Sequence, residues 1–226
     1  MQQRLNAIEA SGKHLLLTVN DILDLAKIEA GEINFDITTV SVEEICQTSL
    51  RFVELEALSK KIKIFYPCNY TVNTLQTDAR SLKQILINLL SSAVKFTPQN
   101  GKIDLKVEGN EAAEVVYFTV SDTGIGIPEH KMKHLFKPFV QVDGGLSRQY
   151  NGIGLGLALV YRLTDMLGGS VRVTSKVGHG SQFIVSLPWR VNNTKPVVIK
   201  KPSVPTKTLT NLNVQSIYFI SSKLKH

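Results

Sequence analysis

The stretch from Val120 to Leu159 constrains this chain most. It reads V-S-D-T-G-I-G-I-P, then H-L-F-K-P-F, then Q-Y-N-G-I-G-L-G-L-A-L. A lone carboxylate, Asp122, ends an alternating apolar run, and two glycine clusters flank the phenylalanine pair Phe136 and Phe139. Gly124 and Gly126 let a backbone turn tightly and approach a flat ring, because glycine has no Cβ. Gly152, Gly154 and Gly156, with Leu155 between the last two, precede an apolar helical pattern (Leu157, Leu159, Val160, Leu163). A helix start whose N–H groups are unpaired, reached through glycines, suits a phosphate. Asp122 suits an exocyclic amine such as adenine N6, so the stretch as a whole points to a nucleotide. A Walker loop would need G-K-[ST], which is absent. A dinucleotide fingerprint would need its glycines after the first strand and an acid downstream.

Asp-Thr-Gly-x-Gly-x-Pro, Phe-x-x-Phe and Gly-x-Gly-x-Gly, in this order, resemble the G1, F and G2 boxes of the histidine kinase ATP-binding domain, within the gyrase–Hsp90–kinase ATPase group. Asp78 to Thr97 resembles the N box that goes with them. The resemblance implies that Asn88 faces the triphosphate and that Lys95 meets the phosphates as a cation. It also implies that Phe96 packs beside adenine, while Asp122, Gly124, Gly126, Leu155 and the three later glycines hold the nucleotide. ATP and Mg²⁺ are the implied cofactors. Where the family carries a second, Mg²⁺-coordinating asparagine, this chain has Ser92; its arm is shorter, so it needs a bridging water to reach the ion. Arg148 is either a lid residue reaching phosphate or an exposed loop arginine. Phe136 and Phe139 are expected to pack the hinge and lid.

Upstream, Ile8, Leu15 and Ile22 recur every seven residues, each followed four residues on by Gly12, Val19 and Ala26 in turn. That is the seam of a helix facing other helices. S-G-K-H-L-L-L-T-V-N-D-I-L-D-L-A-K-I-E-A-G resembles the second helix of the dimerisation hairpin in hybrid kinases. Residues 1–31 are assigned to it, 32–190 to the ATP-binding domain, and 191–226 to a basic, disordered tail or linker whose last apolar island, Ile217 to Ile220, is too short to fold alone. No phosphoacceptor histidine followed by an acid and Arg-Thr-Pro-Leu occurs, and His14 lies in second-helix text. His130 and His134 have a helical metal spacing but no third ligand nearby, so a solvated lid helix is the alternative to a metal site.

Between these landmarks the pattern predicts a strand at 33–37 and a helix capped by Ser41-x-x-Glu44 and ending near Lys60. A strand at 61–66 and the N-box helix from Asp78 to Phe96 follow. The hairpin 102–108/115–121, a helix to Leu167, and strands at 171–175 and 182–187 complete the domain. The expected fold is a two-layer α/β (α+β) sandwich, a mixed sheet with three helices on one face, preceded by a long helix.

The net charge of +7 lies entirely in the tail: seven lysines and arginines and no acid from Arg190 onward, leaving 19 cations against 19 anions before it. The tail lacks aromatic interleaving, so nucleic acid is not an expected partner. No apolar run reaches about 18 residues, so no membrane span is expected, and a cytoplasmic location follows from the resemblance. The expected function is an ATP-binding fragment of a sensor histidine kinase, moving the ATP γ-phosphoryl to a histidine outside this sequence. The alternative is a nucleotide-binding pseudokinase that regulates an intact kinase. Expected partners are ATP or ADP, a second copy or related kinase through helix 2–29, and a downstream response regulator or receiver domain.

Overall fold

In a computed structural model of the protein, the described residues are 12, 19, 22–28, 30–32, 34–67, 72–140, 154–190 and 218–220. Residues 22–28 are helical (α1), as are 12, 19 and 30. Gly31 ends this helix as expected: its N–H donates to the Ile28 carbonyl (3.1 Å) and that of Glu32 to Lys27 (2.9 Å), the paired bonds of a Schellman motif. Leu25 and Ile28 are buried, whereas Val19, Ile22 and Leu23 are 42–50% exposed. Ile8 and Leu15 lie outside the described residues.

The next elements are β1 (Ile37–Ser41), α2 (Val42–Ser59), β2 (Lys63–Phe65), β3 (Thr74–Asp78) and α3 (Ala79–Phe96). The strand predicted at 33–37 lies four residues later, and β3 was not predicted at all. Both shifts have one cause. β1 and β3 form a separate antiparallel pair, Ile37 opposite Asp78 and Ser41 opposite Thr74, whose β-branched Thr38, Thr39 and Val40 suit a strand. In β3 the polar Gln76 and Asp78 hide the alternation. The pair sets two helix starts side by side. Ser41 Oγ accepts the Glu44 N–H (3.3 Å), and Asp78 Oδ1 accepts the Ser81 N–H (2.7 Å). Only this half of the Ser41–Glu44 capping box forms among the described residues. Asp78 Oδ2 also accepts the Asp36 N–H (2.9 Å), tying the linker to the N-box helix.

Then come β4 (Lys102–Asn110), β5 (Val115–Asp122), the short α4 (Glu129–Met132), α5 (Gly156–Met166), β6 (Ser170–Lys176), β7 (Gly180–Pro188) and β8 (Tyr218–Ile220). The larger sheet runs β2-β4-β5-β7-β6-β8, with β2 parallel to β4 and the other neighbours antiparallel. The apolar island at the end of the basic tail, too short to fold alone, is thus an edge strand on β6; residues 191–217 and 221–226 lie outside the described residues. Alternate residues of the central strands are buried: Leu105 and Val107, Phe118 and Val120, Val171 and Val173, Val185 and Leu187. They form one core with Leu82, Ile85, Leu86 and Leu89 of α3 and Leu159 and Leu163 of α5. The mixed sheet with helices on one face, preceded by a helix, is therefore the predicted sandwich.

Candidate nucleotide site

Helix α3 buries one side in this core and offers the other to the site. Asn88, Ser92, Lys95 and Phe96 are only half-buried, and steps of four and three place the first three on one helix face. The Asn88 amide nitrogen Nδ2 is buried and has no hydrogen-bond partner among the described residues. Gly156, the first residue of α5, faces it: a Cβ there would come within 3.5 Å of Asn88 Oδ1. A buried orphan donor is unusual enough to point to a missing acceptor. The Ser92 hydroxyl donates to the Asn88 carbonyl (2.8 Å). The predicted water-bridging oxygen therefore spends its proton on the helix, which leaves lone pairs as its contribution. Lys95 Nζ lies 5.1 Å from the Phe96 ring centroid, a cation–π distance. Burial lowers its pKa, and the nearby Glu56 carboxylate partly opposes this.

Phe96, Asp122, Ile125, Gly126, Leu157 and Ser92 surround a mostly apolar cavity of about 60 Å³. Asp122 and Ser181 also border a larger cleft of about 650 Å³ that reaches Glu129 and His179. Asp122 is the charged residue lining the small cavity, beside the hydroxyl residues Ser92 and Ser181. Its Oδ1 accepts the N–H groups of Gly124 (2.7 Å) and Ser181 (3.3 Å), and Oδ2 accepts none among the described residues. Burial raises its pKa, against the two backbone donors, which lower it.

The loop after Asp122 is braced by the β6–β7 hairpin, whose strands the sequence predicts at 171–175 and 182–187 but to which it gives no part in the site. The Gly178 N–H donates to the Ile125 carbonyl (2.8 Å). The Ser175 hydroxyl accepts the Ile127 N–H (2.8 Å) and donates to the Gly180 carbonyl (2.8 Å). Gly126 (φ +70°) and Gly180 (φ +98°) have left-handed backbones, and a Cβ on either would overlap a carbonyl oxygen, of Lys176 and of Asp122 respectively. Ser175, Gly180 and Ser181 are thus site residues that sequence reading missed. The available signal was Gly178-His179-Gly180-Ser181, a further glycine pair opening a strand.

The site gathers Asn88, Ser92, Phe96, Asp122, Gly124, Gly126 and Gly156. Gly124 lies against Asp122 and Phe96: a Cβ there would meet Asp122 Oδ1 and the Phe96 carbonyl at 2.6 Å. Lys95 does not line the small cavity. Leu155 is buried directly before α5 and does not line the cavity either; Leu157 does. Gly154 (φ +78°) meets Val140, the end of the preceding described segment. Arg148 and Gly152 lie outside the described residues. Phe136 packs on Tyr161 of α5, ring centroids 5.8 Å apart, and Phe139 is 65% exposed. His130 and His134 are exposed. Among the described residues no three His, Cys, Asp or Glu side chains are grouped to hold a metal.

Residues 77–191, from the end of β3 through β7, match the family described as histidine kinase-, DNA gyrase B- and HSP90-like ATPase. The chain belongs to this ATPase family. It is 38% identical over 226 residues to the circadian input-output histidine kinase CikA of Synechococcus elongatus, covering 98% of this chain and 28% of that protein. It is 40% identical over 195 residues to hybrid signal transduction histidine kinase B of Dictyostelium discoideum, covering 84% of this chain and 10% of the relative. Among solved structures, full-length ShkA in complex with AMPPNP superposes with a TM-score of 0.72 at 33% identity, covering 83% of this chain and 38% of ShkA. The chain spans well under half the length of these relatives. Its ATPase-family domain is a histidine kinase ATP-binding catalytic domain, and no helix among the described residues is long and apolar enough to cross a membrane.

Proposed function

We propose that residues 32–190 bind ATP with its adenine on Asp122 and its phosphates between α3 and the start of α5, and that the γ-phosphoryl passes to a histidine not contained in residues 1–226. The observation that carries this is the pair of uncommitted polar atoms. Asp122, whose Oδ2 accepts no bond among the described residues, lines a pocket walled by Phe96, Ile125 and Leu157, and Asn88 Nδ2 is a buried donor beside Gly156. An exocyclic amine complements the first and a phosphate oxygen the second. The chemistry asks little else of the protein, since phosphoryl transfer is promoted mainly by positioning and charge neutralisation. Lys95 supplies the cation at the end of α3. The donor set fits Mg²⁺ in part: Asn88 Oδ1 is a side-chain oxygen of the kind the ion prefers, and Ser92 offers only lone pairs. A bound Mg²⁺ would neutralise charge on the triphosphate. A response regulator or receiver domain is the downstream partner in this reading.

The back-bonded Ser92 hydroxyl favours a second reading, a nucleotide-binding regulator of an intact kinase. One experiment separates the two. Nucleotide titration with and without Mg²⁺ is run on the wild type and on Ser92→Asn, followed by transfer to a separate dimerisation domain. Asparagine is expected to strengthen Mg²⁺-dependent binding and to raise transfer by at least about tenfold, the scale of lesser changes around metal sites. Equal transfer by the two forms would remove the support for the regulator reading.

Helix α1 also predicts a partner. Val19, Ile22 and Leu23 leave apolar surface exposed, which a helical neighbour would cover. Sedimentation should show concentration-dependent self-association, and Ile22→Glu with Leu23→Glu should abolish it. A wild type that stays monomeric at high concentration would contradict this.

A further inference from the structure

The end of α3 is held by a residue far from the boxes. A helix leaves its last four carbonyls without intrahelical partners, and here three of them, those of Val94, Lys95 and Phe96, are taken from outside the helix. Thr97 N–H closes the helix on Ala93 (3.0 Å), and Ile125 N–H donates to Phe96 (3.2 Å). The Lys60 ammonium, from the end of α2, donates to both Val94 and Lys95, the latter at 2.9 Å. The backbone of Lys60 is anchored too, since its carbonyl accepts the Asn100 N–H (3.0 Å) from the loop after α3. One lysine thus joins α2 to the helix turn that carries Lys95 and Phe96. The next carbonyl along that turn holds Ile125, which lines the base cavity.

We propose that Lys60 is a positioning residue for the nucleotide: its two charge-assisted bonds set the last turn of α3, and through the Phe96–Ile125 bond they set the wall of the base cavity. A cation at a helix C-terminus also complements the helix dipole. Burial lowers the Lys60 pKa, the first cause ahead of the opposing Glu56 carboxylate, as expected for an ammonium drawn from water onto carbonyls. The inference rests on the nucleotide reading above.

The test compares Lys60→Met, which keeps the stem and removes the donors, with Lys60→Arg, which keeps the charge and two donors. ADP titration of the folded proteins should show about 3–10-fold weaker binding in the methionine form, the scale of charge-assisted bonds lost at a helix end. Arginine should recover it to within about twofold. Hydrogen exchange without nucleotide should show the Ile125 amide opening about tenfold faster in the methionine form, while amides of the β4–β5 ladder keep their wild-type rates. If the methionine form does not unfold cooperatively, Lys60→Gln takes its place. Unchanged ADP affinity in the neutral variant, or arginine no better than methionine, overturns the proposal. Should the wild type itself fail to bind ADP, the nucleotide reading fails, and Lys60 is judged on exchange alone: an Ile125 amide as protected in the neutral variant as in the wild type refutes it.

Discussion

Asp122→Ala should lower ATP affinity by about 10–100-fold and erase any preference for ATP over GTP. Hydrogen bonds to charged groups are worth roughly 1.5–3 kcal/mol, and each 1.4 kcal/mol is about tenfold in affinity. The alanine form removes the base acceptor and also strands the N–H groups of Gly124 and Ser181, which now share Oδ1. Asp122→Asn separates these roles. Its amide oxygen still accepts both N–H groups, but an NH₂ replaces Oδ2 and faces the adenine amine donor to donor. Calorimetric titration of ATP and GTP against the three proteins decides it. Wild-type affinity in the asparagine form would remove Asp122 from base recognition. Acid gives a second handle. Burial raises the pKa of this carboxyl, so ATP binding should fade on acidification at a higher pH than an ordinary aspartate would impose. Fold stability moves the other way at this residue. A carboxyl whose folded pKa is raised costs stability while ionised, and that cost is relieved as the pH falls through its folded pKa.

Gly180→Val should do comparable damage from beneath. Its φ of +98° disfavours any side chain, and a Cβ would overlap the Asp122 carbonyl. Backbone strain of this kind costs about 1–3 kcal/mol, and the overlap must also push Asp122 away from the pocket. A fall in Tm of about 5–10 °C together with loss of nucleotide binding is expected. Gly178→Val is the control: Gly178 has φ +77° in the same hairpin, with nothing within 4 Å of its Cβ position. It should lower Tm but retain nucleotide binding. If both variants bind alike, contact with Asp122 is not what the site needs from Gly180.

The parts of the site that were legible share a property. Asn88, Ser92, Lys95 and Phe96 lie within nine residues of one helix, and Asp122, Gly124 and Gly126 within five of one turn. Their spacing alone sets which side chains share a face. The helix 79–96 announced itself through its apolar face, and Gly31 through its place after the last apolar turn. The parts that were missed depend on residues remote in sequence. β3 has little alternation of its own and becomes a strand by pairing with β1, where Thr39 meets Gln76, 37 positions on. Ser181 reaches Asp122 across 59 positions, and Ser175 reaches Ile127 across 48. Lys60 looked like the unremarkable end of a helix, yet it reaches the carbonyl of Lys95, 35 positions on.

The amino-acid order by itself thus determined most of the element types, the order of the boxes and which side chains share the half-buried face of α3, because periodicity and turn chemistry are local. Only the tertiary structure decided which oxygen of Asp122 is spent on its own backbone and which is left over. It also decided that the Ser92 proton goes to the Asn88 carbonyl, and that a hairpin glycine lies under Asp122. Each of these is settled by hydrogen-bond satisfaction and close packing. A donor takes whichever acceptor the fold brings near it, and several candidates lie within reach along the chain until the sheet and helices are assembled.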